Sequence, residues 1–137
     1  MAKISKDQAK EEVNKWLNSK GYDEDEREGY EAVIEGLEAQ FVKGKLRLED
    51  NGDIIQTLKF PICEVESGDI IHAEIAYKPR VKVKELNRRQ DQLKVKDADS
   101  KTRVGIYASS NVKDAFMDRM DPMDYRVATY IGIFLVV

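Results

Sequence analysis

The sequence predicts an α+β fold: a small three-stranded antiparallel meander covered on one face by helices, with an N-terminal helical hairpin and a C-terminal helical subdomain. Three observations carry that expectation. Apolar residues recur at helical spacing over residues 1–44, alternate with polar ones over 45–78, and return to helical spacing over 79–137. Two turn signatures, Asp50-Asn51-Gly52 and Glu66-Ser67-Gly68-Asp69, cut the alternating stretch into three strands. Finally, Asp121-Pro122-Met123-Asp124 writes a helix start ahead of an apolar run. A chain of 137 residues is sized for one domain, with these three stretches as its segments.

Ser5-Lys6-Asp7-Gln8 forms a capping box, with Ile4 and Ala9 placed as a hydrophobic staple. The helix it opens carries Ala9, Val13, Trp16 and Leu17 on one side and should stop at Gly21. Asp23-Glu24-Asp25-Glu26 repeats the device, its acids suited to a helix N-terminus. Tyr30, Val33, Ile34, Leu37 and Phe41 then mark the buried stripe of a second helix ending near Gly44. Gly29 and Gly36 are expected to weaken it by about 1 kcal/mol each relative to Ala, which suggests either close packing or a modest local stability.

In the strand region, register can be tested against the apolar pattern, because a one-residue slip moves every side chain to the other face. A two-residue Asn51-Gly52 turn would put Leu46 and Leu48 on the face opposite Ile54 and Leu58. A three-residue Asp50-Asn51-Gly52 loop with left-handed Gly52 pairs Leu48 with Ile54 and keeps one apolar face. The second turn is expected to set Leu58 against Tyr77, Phe60 against Ile75 and Ile62 against Ala73. It would also make Cys63 and His72 cross-strand neighbours. The face of Leu46, Leu48, Leu58, Phe60, Ile62, Ile75 and Tyr77 needs a cover, which only the helices can supply.

After Lys78-Pro79-Arg80 ends the sheet, Val83, Leu86, Gln90 and Leu93 fit a mostly polar helix, and Asp97 to Ser109 fits another with Val104, Ile106, Tyr107 and Ala108 partly buried. Asn111 is placed to cap a short helix that turns Val112, Phe116 and Met120 inward. Asp121 then serves as N-cap, Pro122 occupies the first helical position and Asp124 closes a capping box. Val127, Ala128, Ile131, Phe134 and Leu135 share one face of the last helix, yet no Gly, Asn or basic residue writes its end. That apolar end either completes the core or meets a partner helix.

The net charge of −3 conceals an asymmetry: residues 1–69 hold 10 Lys/Arg against 17 Asp/Glu, and residues 70–137 hold 13 against 9. Lys78, Arg80, Lys82, Lys84, Arg88 and Arg89 are the densest basic cluster, but no aromatic interleaves them, which disfavours nucleic acid. A single cysteine, Cys63, excludes internal disulfides and suits a reducing cytoplasm; the hydrophilic first ten residues carry no apolar signal, and the C-terminal apolar run is too short for a membrane span. Chemistry finds little foothold. Cys63 and His72, with Glu74 nearby, form the one catalytic-looking pair, and an incidental pairing on a solvent face outweighs it. One Cys and one His cannot build a structural zinc site, the aspartates lack calcium-loop spacing, and no phosphate-binding glycine motif occurs. The expectation is a protein without catalytic residues, metal or cofactor.

Leu58-Lys59-Phe60-Pro61-Ile62, Ile75-Ala76-Tyr77-Lys78-Pro79-Arg80 with a following Glu85-Leu86, Ile106 to Asn111, and Met120-Asp121-Pro122-Met123-Asp124-Tyr125 before an apolar helix form an ordered series. This series resembles the tail assembly chaperones of tailed phages and Mu-like prophages, over roughly residues 55–137. Residues 1–44 have no counterpart there, and Met120 stands where that family usually has Leu. The resemblance implies a non-enzymatic assembly chaperone or adaptor in the bacterial host cytoplasm that binds the tape-measure protein and recruits tail-tube proteins. By the same resemblance, Pro79, Asp121, Pro122, Asp124 and Tyr125 are the positions to watch; their own chemistry makes Pro79, Asp121, Pro122 and Asp124 a helix-orienting turn, and the apolar C-terminal end adds Ile131, Phe134 and Leu135 to Tyr125 as expected partner-binding residues. A structural or connector subunit, including a homo-oligomeric one, is the alternative; a small Cys/His enzyme is the second alternative.

Overall fold

The computed structural model describes residues 3–93 and 97–135, and it is α+β. Two helices, α1 (Lys6–Ser19) and α2 (Glu31–Val42), precede a three-stranded antiparallel sheet of β1 (Leu46–Leu48), β2 (Ile54–Cys63) and β3 (Ile70–Tyr77) in that spatial order. Four helices follow: α3 (Val83–Asp91), α4 (Ala98–Ser109), α5 (Asp114–Met117) and α6 (Pro122–Ile133). The predicted apolar continuation through Val136 and Val137 lies outside the described residues.

The first helix starts and stops as its sequence indicates. Ser5 Oγ accepts from the Gln8 N–H, and Gln8 Oε1 accepts from the Ser5 N–H, completing the capping box. At the far end Gly21, at φ +87°, donates to Asn18 O while Tyr22 donates to Leu17 O, the paired bonds of a Schellman stop. Ala9, Val13, Trp16 and Leu17 are all buried.

The second helix starts later than expected. Asp23 Oδ1 accepts from the Glu26 N–H, but the turns this begins run only to Gly29, whose φ of +90° ends them. Helix α2 therefore begins at Glu31, with Tyr30 as an N-cap that makes no side-chain cap bond. Leu37 and Phe41 are buried, and Tyr30, Val33 and Ile34 pack against the core from its edge. Gly36 is needed for contact: a Cβ there would stand 2.9 Å from the Tyr130 ring of α6.

The first hairpin has the predicted register, Leu48 opposite Ile54 and Leu46 opposite Gln56, with Gly52 left-handed at φ +93°. The second departs from it. Ile54 pairs with Tyr77 and Gln56 with Ile75, so the expected facing of Leu58 with Tyr77, Phe60 with Ile75 and Ile62 with Ala73 does not occur. The ladder breaks after Thr57–Glu74 and resumes at Ile62–His72, leaving residues 58–61 of β2 against Ala73 alone. This bulge keeps Leu58 and Ile62 buried but turns Phe60 outward, contrary to its expected place on the covered face. Alternation alone could not reveal it, because positions 58, 60 and 62 fit one face of an unbroken strand.

Helices α1, α2, α4 and α6 all contact the sheet, and their buried side chains form one core with Leu46, Ile54, Leu58, Ile62, Ile75 and Tyr77. Asn111 does not cap α5. Its N–H donates to Ala76 O and its Oδ1 accepts from the Ala76 N–H, so the segment after α4 lines the upper edge of β3. Lys113 occupies the N-cap of α5, and Met117, with Val112 and Met120, points inward. Helices α4 and α6 approach so closely that a Cβ on Gly132 would stand 2.5 Å from Ile106 Cγ1. The basic cluster after the sheet is largely internal in its bonding: Glu85 bridges Arg88 and Arg89, Arg89 also reaches Asp114, and Arg80 donates to Ser19 O.

Helix α6 opens as expected at its first position, with Asp121 Oδ1 accepting from the Met123 N–H at 2.9 Å and Pro122 in the first turn. Asp121→Ala should therefore cost about 0.5–2 kcal/mol, read as a lowered denaturation midpoint. An unchanged midpoint would mean that this cap carries no weight.

Candidate functional site

The segment from Met120 to Tyr125 leads the chain from α5 into α6 and presses it against the bulge of β2. Asp124 does not close a capping box. Its side chain turns inward, 4% exposed, and its two oxygens accept from the Lys59 N–H at 2.8 Å and the Phe60 N–H at 3.0 Å. These are backbone groups that the broken ladder leaves without a β3 partner, so one carboxylate replaces the missing strand bonds. A buried chain of polar groups extends from it: Gln56 Nε2 donates to Asp124 O at 2.8 Å, and the Tyr77 hydroxyl donates to Gln56 Oε1 at 2.8 Å. Burial, followed by the nearby Asp124 charge, pushes the Tyr77 phenol well above its ordinary pKa, which keeps it protonated as the donor. No buried side-chain polar atom among the described residues lacks a partner.

The consequence of the bulge appears on the other side of the strand. Phe60 is 46% exposed, and at the hairpin end Val65 is 81% and Ile70 63% exposed. Large side chains at such exposure are costly to keep in water. Glu64, Glu66 and Asp69 border them at the tip, all exposed. Behind this end, Phe116 packs edge-on to His72 with ring centroids 5.9 Å apart, and Arg119 donates to Cys63 O. The hairpin end is thereby held by α5 and by the residues just after it.

Cys63 and His72 do not face each other. The bulge places His72 opposite Ile62, and a further irregularity places Cys63 opposite Ile70. Cys63 Sγ contacts Pro61 O at 3.5 Å, whereas the His72 ring is engaged by Phe116. The cross-strand pair expected from a regular hairpin is thus removed by the two register irregularities, the first of which also exposes Phe60. No group of three or more His, Cys, Asp or Glu converges as metal ligands among the described residues, and no described helix is long and apolar enough to cross a membrane.

Of the residues expected to meet a partner, Ile131 and Phe134 are buried within this chain, and Tyr125 and Leu135 are half-buried against the same core. Phe134 meets Trp16, Tyr22 and Tyr30, and the Tyr22 hydroxyl donates to Phe134 O at 3.3 Å. That bond helps satisfy the end of α6, the stop for which the sequence offers no glycine. Pro79 acts at a distance from α6: its carbonyl accepts from the Lys20 ammonium, which also lies 5.3 Å from the Trp16 ring. Burial, and secondarily Arg80, lowers the Lys20 pKa to about 8.

Sequence reasoning overlooked Phe60, Val65 and Ile70 as surface groups and Gln56 and Tyr77 as a buried polar pair. One signal was available: Val65 and Ile70 flank a Glu-Ser-Gly-Asp turn, where a hairpin needs no large apolar side chains. No family model, curated protein or solved structure matches this chain.

Proposed function

We propose that this chain is a non-enzymatic assembly chaperone or adaptor of a phage or prophage tail, acting in the bacterial host cytoplasm, and that it binds its protein partner through the end of the β2–β3 hairpin. The observation that carries this reading is the exposed set of Phe60, Val65 and Ile70, held out by a bulge that Asp124 braces. Asp124 belongs to the Asp-Pro-Met-Asp-Tyr turn on which the resemblance to tail assembly chaperones rests, so that turn has a mechanical link to the exposed surface. The acids Glu64, Glu66 and Asp69 around the patch define the partner's chemistry: a helix with an apolar stripe flanked by Lys or Arg. A long helical tape-measure protein can present such a face. A structural or connector subunit is favoured by one observation, that the Ile70–Ala73 part of β3 has no strand on its outer side among the described residues, which leaves an edge for pairing between copies.

The test is co-purification with the tape-measure product of the same genome at micromolar concentration. The native chain should retain it, and a Phe60→Asp, Ile70→Asp double variant should release it while keeping the native melting temperature, since both residues are exposed. Equal retention by the double variant would remove the hairpin from the reading, and no retention by the native chain would remove the tape-measure partner. Stable rings or polymers in light scattering would favour the connector instead.

A further inference from the structure

Away from the hairpin tip, a cleft of about 380 Å³ lies between the end of α2, the start of β1, the β2 bulge and the first turns of α6. Four cations line it, each from a different place: Lys43 caps α2, Lys45 precedes β1, Lys59 sits in the bulge and Arg126 on α6. Among the described residues none of the four forms an ion pair or a side-chain hydrogen bond. Lys59 has only the Phe60 ring, 5.6 Å from its ammonium. Arg126 is more telling, because every other described arginine donates to an oxygen of this chain.

The one acid at the cleft is Asp124, and its two oxygens already accept from two backbone N–H groups. The negative end of the α2 dipole accounts for Lys43 and Lys45 nearby. It does not account for a lysine on a strand bulge and an unpaired arginine on another helix converging on the same space. One carboxylate against four cations leaves the cleft with an excess of positive charge, and an anion bound there relieves the repulsion among them. The same helix α6 that carries Arg126 also brings Met123, Val127 and Tyr130 to the cleft, so its lining is partly apolar.

We propose that this cleft binds a small phosphate-bearing molecule. Arg126 supplies the planar, two-pronged contact that suits a phosphate, and the three lysines supply charge around it. The volume lies at the lower end of the roughly 300–1,000 Å³ typical of small-molecule sites, so it takes a phosphate or diphosphate with at most a modest organic group. This inference is independent of the hairpin surface and of any tail partner.

The experiment is calorimetric titration of the full chain at low salt with pyrophosphate and inorganic phosphate, and separately with adenosine diphosphate. Saturable binding of pyrophosphate is expected, tighter than that of phosphate and weakened by added salt. Arg126→Gln, at an exposed position that leaves the core intact, should reduce the affinity about tenfold or more, whereas Lys101→Gln on the exposed side of α4 should leave it unchanged. Tighter binding of adenosine diphosphate than of pyrophosphate would assign the Met123–Tyr130 wall to the organic group, and equal binding would confine recognition to the phosphates; either upholds the site. Absence of saturable binding by pyrophosphate overturns it. So does an equal loss in the Arg126 and Lys101 variants, which would reduce the effect to net charge.

Discussion

Asp124→Ala should destabilise the fold by about 2–4 kcal/mol, a large share of the roughly 5–15 kcal/mol that holds a domain of this size together. The substitution removes two charge-assisted bonds, to the Lys59 and Phe60 N–H groups, each of a kind worth about 1.5–3 kcal/mol. Their full sum is not expected, because the side chains of Lys59 and Phe60 are exposed and water can reach the freed amides. Asp124→Asn should cost about half as much, since the amide offers one acceptor oxygen and sets an N–H against the second donor. Urea denaturation measures the stability, and hydrogen exchange at Lys59 and Phe60 measures the local effect: exchange there should accelerate beyond the global change. If Asp124→Ala left both the midpoint and those two amides unaltered, the brace between α6 and the bulge would carry no energy. The same variant should weaken partner capture through Phe60, linking the turn to the proposed surface.

Much of this architecture was legible because local chemistry and global fold agree. The Ser5–Gln8 capping box, the Gly21 stop, the Leu48–Ile54 register and the Asp121-Pro122 helix start each depend on residues within a few positions of one another. The failures share a different character. The bulge at residues 58–61 exists because a carboxylate 64 and 65 residues further along the chain supplies the bonds that a strand neighbour would, and no local pattern encodes that pairing. Asn111 looked like a helix cap because asparagine often is one; here the same donor and acceptor serve the edge of β3. The acidic run at Asp23–Glu26 began only a short series of turns because Gly29 intervenes with a positive φ. The candidate surface was missed for a related reason: the sequence concentrates apolar residues at its C-terminus, whereas exposure depends on what packs there, and Trp16, Tyr22 and Tyr30 cover that end.

Phe134→Ala should cost about 3–5 kcal/mol, the range for emptying a large aromatic site in a core. Phe134 is 2% exposed and stands edge-on to Trp16 at 5.8 Å and to Tyr22 at 5.2 Å, with Tyr30 tilted at 5.4 Å. These contacts join α6 to α1, to the segment after α1 and to the start of α2, so the cavity left behind touches three parts of the chain that cannot collapse onto it together. Phe134→Leu retains most of the volume but loses the ring geometry, worth about 0.5–1.5 kcal/mol per aromatic pair, and should fall between the native chain and alanine. Trp16 is the chain's one tryptophan, so its fluorescence reports the site directly and should shift to the red in the alanine variant. This measurement separates the two fates of the apolar C-terminal face. A core residue loses stability in proportion to the volume removed, whether or not a partner is present. A partner-facing residue would leave the denaturation midpoint in place and lower only the capture of the partner, and that outcome would return Ile131 and Phe134 to the binding surface from which their burial removes them.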